Sequence, residues 1–470
     1  MMCFQKRYKG FPLISTAFTV LLVFASSACT TKSDVSLPAQ TSPSFSESGT
    51  EALPELWWTA FDDPNLKMYV AKGLENNFSL ASSWERLRAA RALARRESSD
   101  LYPDLNLGAA AQRQIDDGDR QNTFEFGPEA SYEADLWGRI RSAAQAEQLR
   151  AEASEEAYRT AAISLSADIA LTWVRLVETH NQLDLLARQI ETNEKVLDVL
   201  KARFGVGQAR REDILRQRLL IEAIREDVLV FESQIETLEH QLAILQGEAP
   251  QGKSYRVAES LPALPPRPDA GLPSELIQRR PDVRRAYMEI KAADKDLAAA
   301  IRDQYPRLTL SASYVSEATR AENLFSNWLT TFGAALLAPV FDGGRRQAEI
   351  DRREAVREQL VSDYGQTVLE AFREVEDALI REQKQMDRIG NLNSRLEIAN
   401  ATYEQIQTSY FNGANEYIDV LLALFQMQQI ERDLLTARGN LIEFRIALYR
   451  ALAGGFEMPR EKATVKETKS

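Results

Sequence analysis

Histidine and cysteine are nearly absent from this chain of 470 residues, which has two of each. His180 and His240 fall at unrelated positions of long helical runs, so a histidine metal centre or a catalytic triad has little to be built from. Cys3 and Cys29 support no disulfide framework, because Cys3 leaves with the N-terminal segment described below. No Gly-rich phosphate loop or nucleophile motif occurs in a strand–turn–helix setting. Surplus positive charge is also missing. The net charge of -12 argues against nucleic acid as a partner. No cofactor and no enzymatic activity are expected.

Long apolar runs are equally scarce. Charged residues make up 27% of the chain and the mean hydropathy is -0.34. The one long apolar stretch, Phe11 to Phe24, follows the basic residues Lys6, Arg7 and Lys9 and precedes Ser26-Ser27-Ala28. It is short and ends in small residues, which marks residues 1–28 as a secretory signal rather than a span. Its removal takes three positive and no negative charges, leaving a formal charge of -15. The bond before Cys29 fits two fates. Small residues suit plain cleavage, and they also resemble a lipobox, with Ser26 where Leu is usual. Lipidation of Cys29 is the expectation, and Thr30 after it points to outer-membrane sorting.

Proline is missing from two runs of about 120 residues, between Pro128 and Pro250 and between Pro339 and Pro459. Both are rich in Ala, Leu, Glu, Gln and Arg and read as long helices. Leu176, Leu183, Ile190, Leu197 and Phe204 recur every seven residues, with polar Asn193 in the neighbouring register of Leu186 and Leu200. Beyond Gly205 and Gly207 the spacing resumes at Ile214, Ile221, Val228, Ile235 and Leu242, with a second seam at Ile224, Phe231, Leu238 and Leu245. Sustained heptads predict helices packed in coiled-coil fashion. The second run repeats the first at an offset of 206, pairing Gly138 with Gly344, Gly207 with Gly413 and Asp213 with Asp419; upstream the offset is 203, pairing Tyr102-Pro103 with Tyr305-Pro306.

Each half also has segments of period two. Phe124, Phe126, Ala130, Tyr132, Ala134 and Leu136 alternate with Glu125, Glu129, Ser131, Glu133 and Asp135. Leu105, Leu107, Ala109 and Ala111 form the expected hairpin partner across a polar turn at Asp116 to Asn122. The second half offers Leu308, Leu310, Ala312 and Tyr314, then Phe332, Ala334, Leu336, Ala338 and Val340. These four strands have one apolar and one wet face and the roughly 9–11 residues that cross a bilayer obliquely. An open four-stranded sheet leaves two unpaired edges in lipid, so closure must come from further copies, of unspecified number. The helix from Gly138 to Arg203 would be about 100 Å long. If three chains each supplied four helical positions, the ring would leave a bore of about 25–30 Å.

The motifs then become recognisable. Leu56-Trp57-Trp58 with Phe61-Asp62-Asp63-Pro64-Asn65-Leu66, Ser131-Tyr132-Glu133-Ala134-Asp135-Leu136-Trp137-Gly138-Arg139, and Gly271-Leu272-Pro273-Ser274-Glu275-Leu276 with Arg279-Arg280-Pro281-Asp282-Val283 stand in order. Pro339-Val340-Phe341-Asp342-Gly343-Gly344-Arg345, Glu374-Val375-Glu376-Asp377-Ala378-Leu379 and Ala451-Leu452-Ala453-Gly454-Gly455 complete the set. Together they resemble outer-membrane factors of the TolC/OprM type over residues 55–456. The resemblance implies a mostly α protein whose tandem-repeat helices form a trimeric α-barrel, with four strands per chain in a shared twelve-stranded outer-membrane barrel. It implies segments at 29–100 (N-terminal), 101–137 (first β-hairpin), 138–247 (first helical hairpin), 248–273 (Pro-rich connector), 274–304 (start of the second repeat), 305–341 (second β-hairpin), 342–453 (second helical hairpin) and 454–470 (tail). Its implied partners are two more copies, outer-membrane lipid, a periplasmic adaptor and an inner-membrane pump of the resistance-nodulation-division type. The duct itself would be passive.

By the same resemblance, Arg203, Phe204, Gly205, Val206 and Gly207, with Phe411 and Gly413, form adaptor-docking tips. Asp419 narrows the tunnel, where three copies would make an acidic ring that favours cations. Asp213 is its repeat partner. Asn415 and Leu422 replace the Arg and second Asp that some members carry there, so closure is assigned to Tyr410, Asn415 and Asp419. Trp57 and Trp58 are expected to anchor the N-terminal segment, Trp137 to sit at the membrane interface, and Glu374, Glu376 and Asp377 to solvate a helix face. A periplasmic adaptor would have one hairpin among Gly-rich β-modules, and a pore-free scaffold would need no alternating strands. Neither fits the duplicated strand–helix unit.

Overall fold

The computed structural model describes residues 44–116, 119–257, 260–453 and 456; the expected signal, Cys29 and the last residues of the tail lie outside them. A 3-10 turn at Trp57–Phe61 leads into α1 (Pro64–Asn76) and α2 (Phe78–Ser99), then strands β1 (Asp104–Asp116) and β2 (Asp119–Ala134). Helices α3 (Arg139–Gly205) and α4 (Arg211–Leu245) complete the first repeat. After the connector come α5 (Pro273–Arg279), α6 (Pro281–Arg302), β3 (Arg307–Ala318), β4 (Trp328–Leu337), α7 (Arg345–Phe411) and α8 (Tyr417–Leu452).

The duplication is closest in the longest helices. α3 and α7 each run 67 residues, and their first and last residues are offset by the same 206 positions. Without an internal proline, each continues for about 100 Å. The starts of α4 and α8 keep that offset, while α2 and α6, both 22 residues, are offset by 203. The change of offset falls between the start of β3 and the start of α7, where the β3–β4 connection carries an extra turn at Ala321–Asn323. At both helical reversals a glycine, Gly207 or Gly413, has φ of 76°, a left-handed conformation that costs a side-chained residue energy.

The four strands form one antiparallel sheet in the order β1-β2-β3-β4. Its register keeps the two faces distinct. Leu105, Leu107 and Ala109 oppose Ala130, Pro128 and Phe126, which lie in line with Ala312 and Ser316, and Leu308, Leu310 and Ala312 oppose Leu336, Ala334 and Phe332. The other face carries Glu125 opposite Glu317, Glu129 opposite Ser313 and Glu133 opposite Thr309. Gly127 lies so close to the Tyr314 and Val315 backbone that a Cβ would collide with it, and Pro128 beside it donates no ladder bond. The strands depart from the expected limits. Arg113 pairs with Asn122 and Asp116 with Asp119, so the polar segment expected as a wide turn continues the hairpin, and β1 and β2 reach 13 and 16 residues. Backbone pairing proceeds there irrespective of side-chain polarity. β4 starts four residues earlier than expected and ends at Leu337, short of Val340, because Pro339 has no N–H to offer.

The main core lies where the middle of α3 meets α1, the 3-10 turn and the end of α8. Trp57, Phe61, Leu66, Val70, Ile169, Trp173, Ile446 and Tyr449 are buried together. Trp57 stacks on Tyr449 at 5.8 Å and donates to Ser166 Oγ, while Trp173 Nε1 donates to Asp63 Oδ2 at 2.7 Å. The same Asp63 caps α1 by accepting from Asn65 N and Leu66 N. α3 contains a stretch long and apolar enough to cross a membrane by length and composition, but 67% of that stretch is buried in this core.

The N-terminal segment is strapped to the connector and to α7. Gly49 N donates to Pro268 O, Asp269 N to Glu51 O, and Ser46 N to Glu376. Arg267 bridges Glu47 and Glu382, and Glu382 pairs with buried Arg445, which also donates to Pro265 O. Burial alone would raise the Glu382 carboxyl, yet Arg445 and Arg267 hold it below the ordinary range. The acidic cluster expected to be merely solvated is therefore partly employed: Glu374 pairs with Arg280 at 2.8 Å and Glu376 holds Ser46. Heptad periodicity places such carboxylates on a helix face but says nothing of what crosses it.

Candidate functional site at the helix tips

The reversal between α3 and α4 and that between α7 and α8 lie side by side. The Arg203 guanidinium stands 5.0 Å from the Tyr410 ring and 5.4 Å from the Phe411 ring, joining the end of α3 to the end of α7. Arg210 and Glu416 face each other at 3.4 Å across the two turns, largely exposed. Val206 is the most exposed apolar residue of the first turn, at 71%, with Phe204 beside it and Phe411 on the second. Gly205 has open space around it, so only Gly207 is fixed by backbone conformation.

Behind these turns, Leu200, Tyr417 and Val420 form a small apolar cluster with Ile214, Tyr403 and Tyr410 around it. The Tyr410 and Tyr417 rings meet edge-on at 5.8 Å. Tyr417 is buried, and its hydroxyl donates to Gln217 Oε1 at 2.5 Å. Gln217 Nε2 donates to both Asn193 O and Asn193 Oδ1 at 2.9 Å, and Asn193 Nδ2 donates to Gln428 Oε1 at 3.0 Å. A continuous buried polar chain thus connects α8, α4 and α3. Burial first, then the neighbouring Tyr403, Tyr410 and Asp213, pushes the Tyr417 hydroxyl well above its ordinary pKa, so it remains a donor.

The residues expected to form the aperture fall into two groups. Tyr410 and Asp213 lie against this cluster: Asp213 is buried, and its Oδ2 accepts from Arg210 N at 3.1 Å, capping α4. Asn415 and Asp419 are half-exposed, and among the described residues the Asp419 carboxylate meets no donor. Arg203 and Phe411, expected on the docking surface, are engaged with each other and with Tyr410, and Phe411 is at the same time 49% exposed. Tyr417, Gln217 and Gln428 were not expected at all. A signal existed for Gln217: it is seven residues before Ile224 and so interrupts the second heptad seam with a polar group, as Asn193 interrupts another. Tyr417 gave none, because its repeat partner is Arg211.

The sheet carries a second set of features. At one end Phe126, Phe325, Trp328 and Tyr314 cluster, with Tyr314 stacked on Trp328 at 4.6 Å; at the other, Trp137 lies 5.1 Å from Tyr305 and donates to Pro306 O. Aromatic groups thus bracket the apolar face at both strand ends. Among the described residues no group of three or more His, Cys, Asp or Glu could hold a metal ion.

Comparison with known proteins completes the picture. The family described as "Outer membrane efflux protein" matches residues 70–248 and 272–454, one match per repeat. The pyoverdine export outer membrane protein OpmQ of Pseudomonas aeruginosa is 31% identical over 433 residues, covering 87% of this chain and 90% of that protein. The cation efflux system protein CusC of Escherichia coli is 28% identical over 414 residues, covering 85% and 88%. Among solved structures, the outer-membrane channel OprN superposes with a TM-score of 0.82 at 25% identity, covering 90% of this chain and 99% of that one. A CusC structure gives 0.81 at 26% identity, covering 89% and 98%.

Proposed function

The chain belongs to the outer membrane efflux protein family, and from that premise we propose that three copies assemble into a passive exit duct. The observation that carries this reading is the sheet: four strands with one apolar and one carboxylate-bearing face, open at both edges and continuous with two long helical hairpins. In lipid such edges require partners, and three copies would supply twelve strands closing into a barrel. The carboxylate face then lines water, and the aromatic groups at the strand ends lie at the two membrane surfaces. The helices continue the bore into the periplasm, where the tips meet an adaptor and, through it, an inner-membrane pump of the resistance-nodulation-division type that supplies the energy.

At the tips, Asp419 and Asn415 face the bore with Tyr410 and Asp213 behind them, while Arg203, Phe204, Gly205, Val206, Gly207, Phe411 and Gly413 form the turns offered to the adaptor. Cys29 carries an acyl anchor in the outer membrane, and mass spectrometry of the mature N-terminus tests that assignment directly. The relatives' names differ in cargo, pyoverdine in one and cations in another, so the substrate is set by the pump and adaptor more than by the duct. Electron microscopy of the detergent-purified protein tests the assembly. A hollow threefold particle with a helical tube about 100 Å long is expected; a monomer, or a solid rod without a barrel, overturns it.

A further inference from the structure

Building on the aperture reading above, we infer that Arg203 and Tyr417, the latter through Gln217, are positioning residues for Asp419. They fix the rotation of α8 about its own axis and so aim the Asp419 carboxylate. Successive residues of a helix are turned by about 100°, so Asp419 lies about 200° around α8 from Tyr417, on nearly the opposite face. Tyr417, Val420 and Leu424 are buried toward the neighbouring helices, whereas Asp419 is half-exposed. Whatever pins Tyr417 inward therefore turns Asp419 outward.

Two contacts do the pinning. The Tyr417 hydroxyl is tied to Gln217, which is tied in turn to Asn193 and Gln428 with no exposure at Gln217 or Asn193. A buried acceptor left without its donor is costly, so the bond holds α8 in one rotational setting. Arg203 acts from the other side. Among the described residues no carboxylate reaches its guanidinium and its Nε is buried without an acceptor, so the Tyr410 and Phe411 rings are what hold it. Tyr410 then packs edge-on against Tyr417. In the second repeat the positions of Asn193, Arg203 and Gln217 are occupied by Ala399, Ser409 and Ala423. The device is thus no general requirement of a helical reversal; it exists only where the first hairpin meets the second.

The test is single-channel conductance and cation-over-anion permeability in planar bilayers, with helical circular dichroism as the folding control. Asp419→Ala is compared in three backgrounds: the parent, Tyr417→Phe, which removes one hydroxyl, and Arg203→Met, which removes the cation but keeps most of the stem. In the parent, Asp419→Ala is expected to raise conductance and lower cation preference by about twofold or more. In the other two backgrounds both changes shrink toward none, because the carboxylate is already misaimed, and Arg203→Lys, which keeps a cation over the rings, behaves as the parent. An equal response to Asp419→Ala in all backgrounds, or Arg203→Lys behaving as Arg203→Met, overturns the inference while leaving the duct intact. A parent protein that forms no pores overturns the duct reading itself, and this assignment with it.

Discussion

The two repeats share the length of their longest helix and their reversals yet differ in what surrounds them. In the first, Ile163 and Val174 are buried, at 6% and 0% exposure; their equivalents 206 residues later, Leu369 and Ile380, are 46% and 54% exposed. α1 and the 3-10 turn cover the first copy, while the second is crossed by the strap around Phe45 and Ser46 and by Arg267 and Arg280 reaching Glu382 and Glu374. The tips differ in the same way. The Asp213 carboxylate caps α4, whereas that of Asp419 meets no donor among the described residues. Duplication copies backbone geometry, and each copy's neighbours then decide which side chains are structural and which are available.

This comparison is most sharply tested at Glu382, which occupies the place that Leu176 fills in the first copy; both are fully buried. Glu382→Leu leaves Arg445 charged, buried and unpaired and is expected to cost about 3–5 kcal/mol in denaturant unfolding. Because the Glu382 carboxyl is held below its ordinary value of 4.5, its contribution is present above that pH and fades as the pH falls through the lowered value. A pH-independent loss would remove the ion pair from the explanation.

Next in size, Ile163→Ala is expected to destabilise the chain by about 2–4 kcal/mol through a cavity and lost burial, whereas Leu369→Ala stays within about 0.5 kcal/mol for the single subunit. Leu369→Glu, by contrast, should abolish the assembled particle in size-exclusion chromatography while the helical circular dichroism is unchanged. Assembly that survives this change removes Leu369 from the contact between copies.

Asp213→Ala removes a helix cap and is expected to cost about 1 kcal/mol with little change in conductance. Asp419→Ala should do the reverse, leaving unfolding unchanged and altering conductance. Equal stability losses would mean that the two repeats treat their aspartates alike. The smallest effect belongs to Arg210→Ala, whose exposed pairing with Glu416 is worth under about 0.5 kcal/mol in unfolding.

Much of this architecture was legible in order along the chain. Absence of proline over two runs, heptad spacing and the constant offset of 206 located α3, α4, α7 and α8, because these signals are local and repeat many times. Alternation located the strands but not their ends: Asp116 to Asn122 is polar, and polarity does not prevent backbone pairing. Resemblance to the outer-membrane factors singled out Asp419 and Tyr410 as aperture candidates, but the engagement of Arg203 with Tyr410 and Phe411 was not legible, since it joins residues about two hundred positions apart.

By itself the sequence determined the two-repeat organisation, the helix lengths, the one-sided strands and the family, all of which rest on periodicities and motifs read within one segment. Tertiary structure alone decided which aspartate caps a helix, which glutamate pairs with Arg445, and which tip residues hold one another. Those choices depend on which distant side chain arrives within a few ångströms. Two segments with the same period offer the same candidates for contact until packing places a partner beside one and not the other.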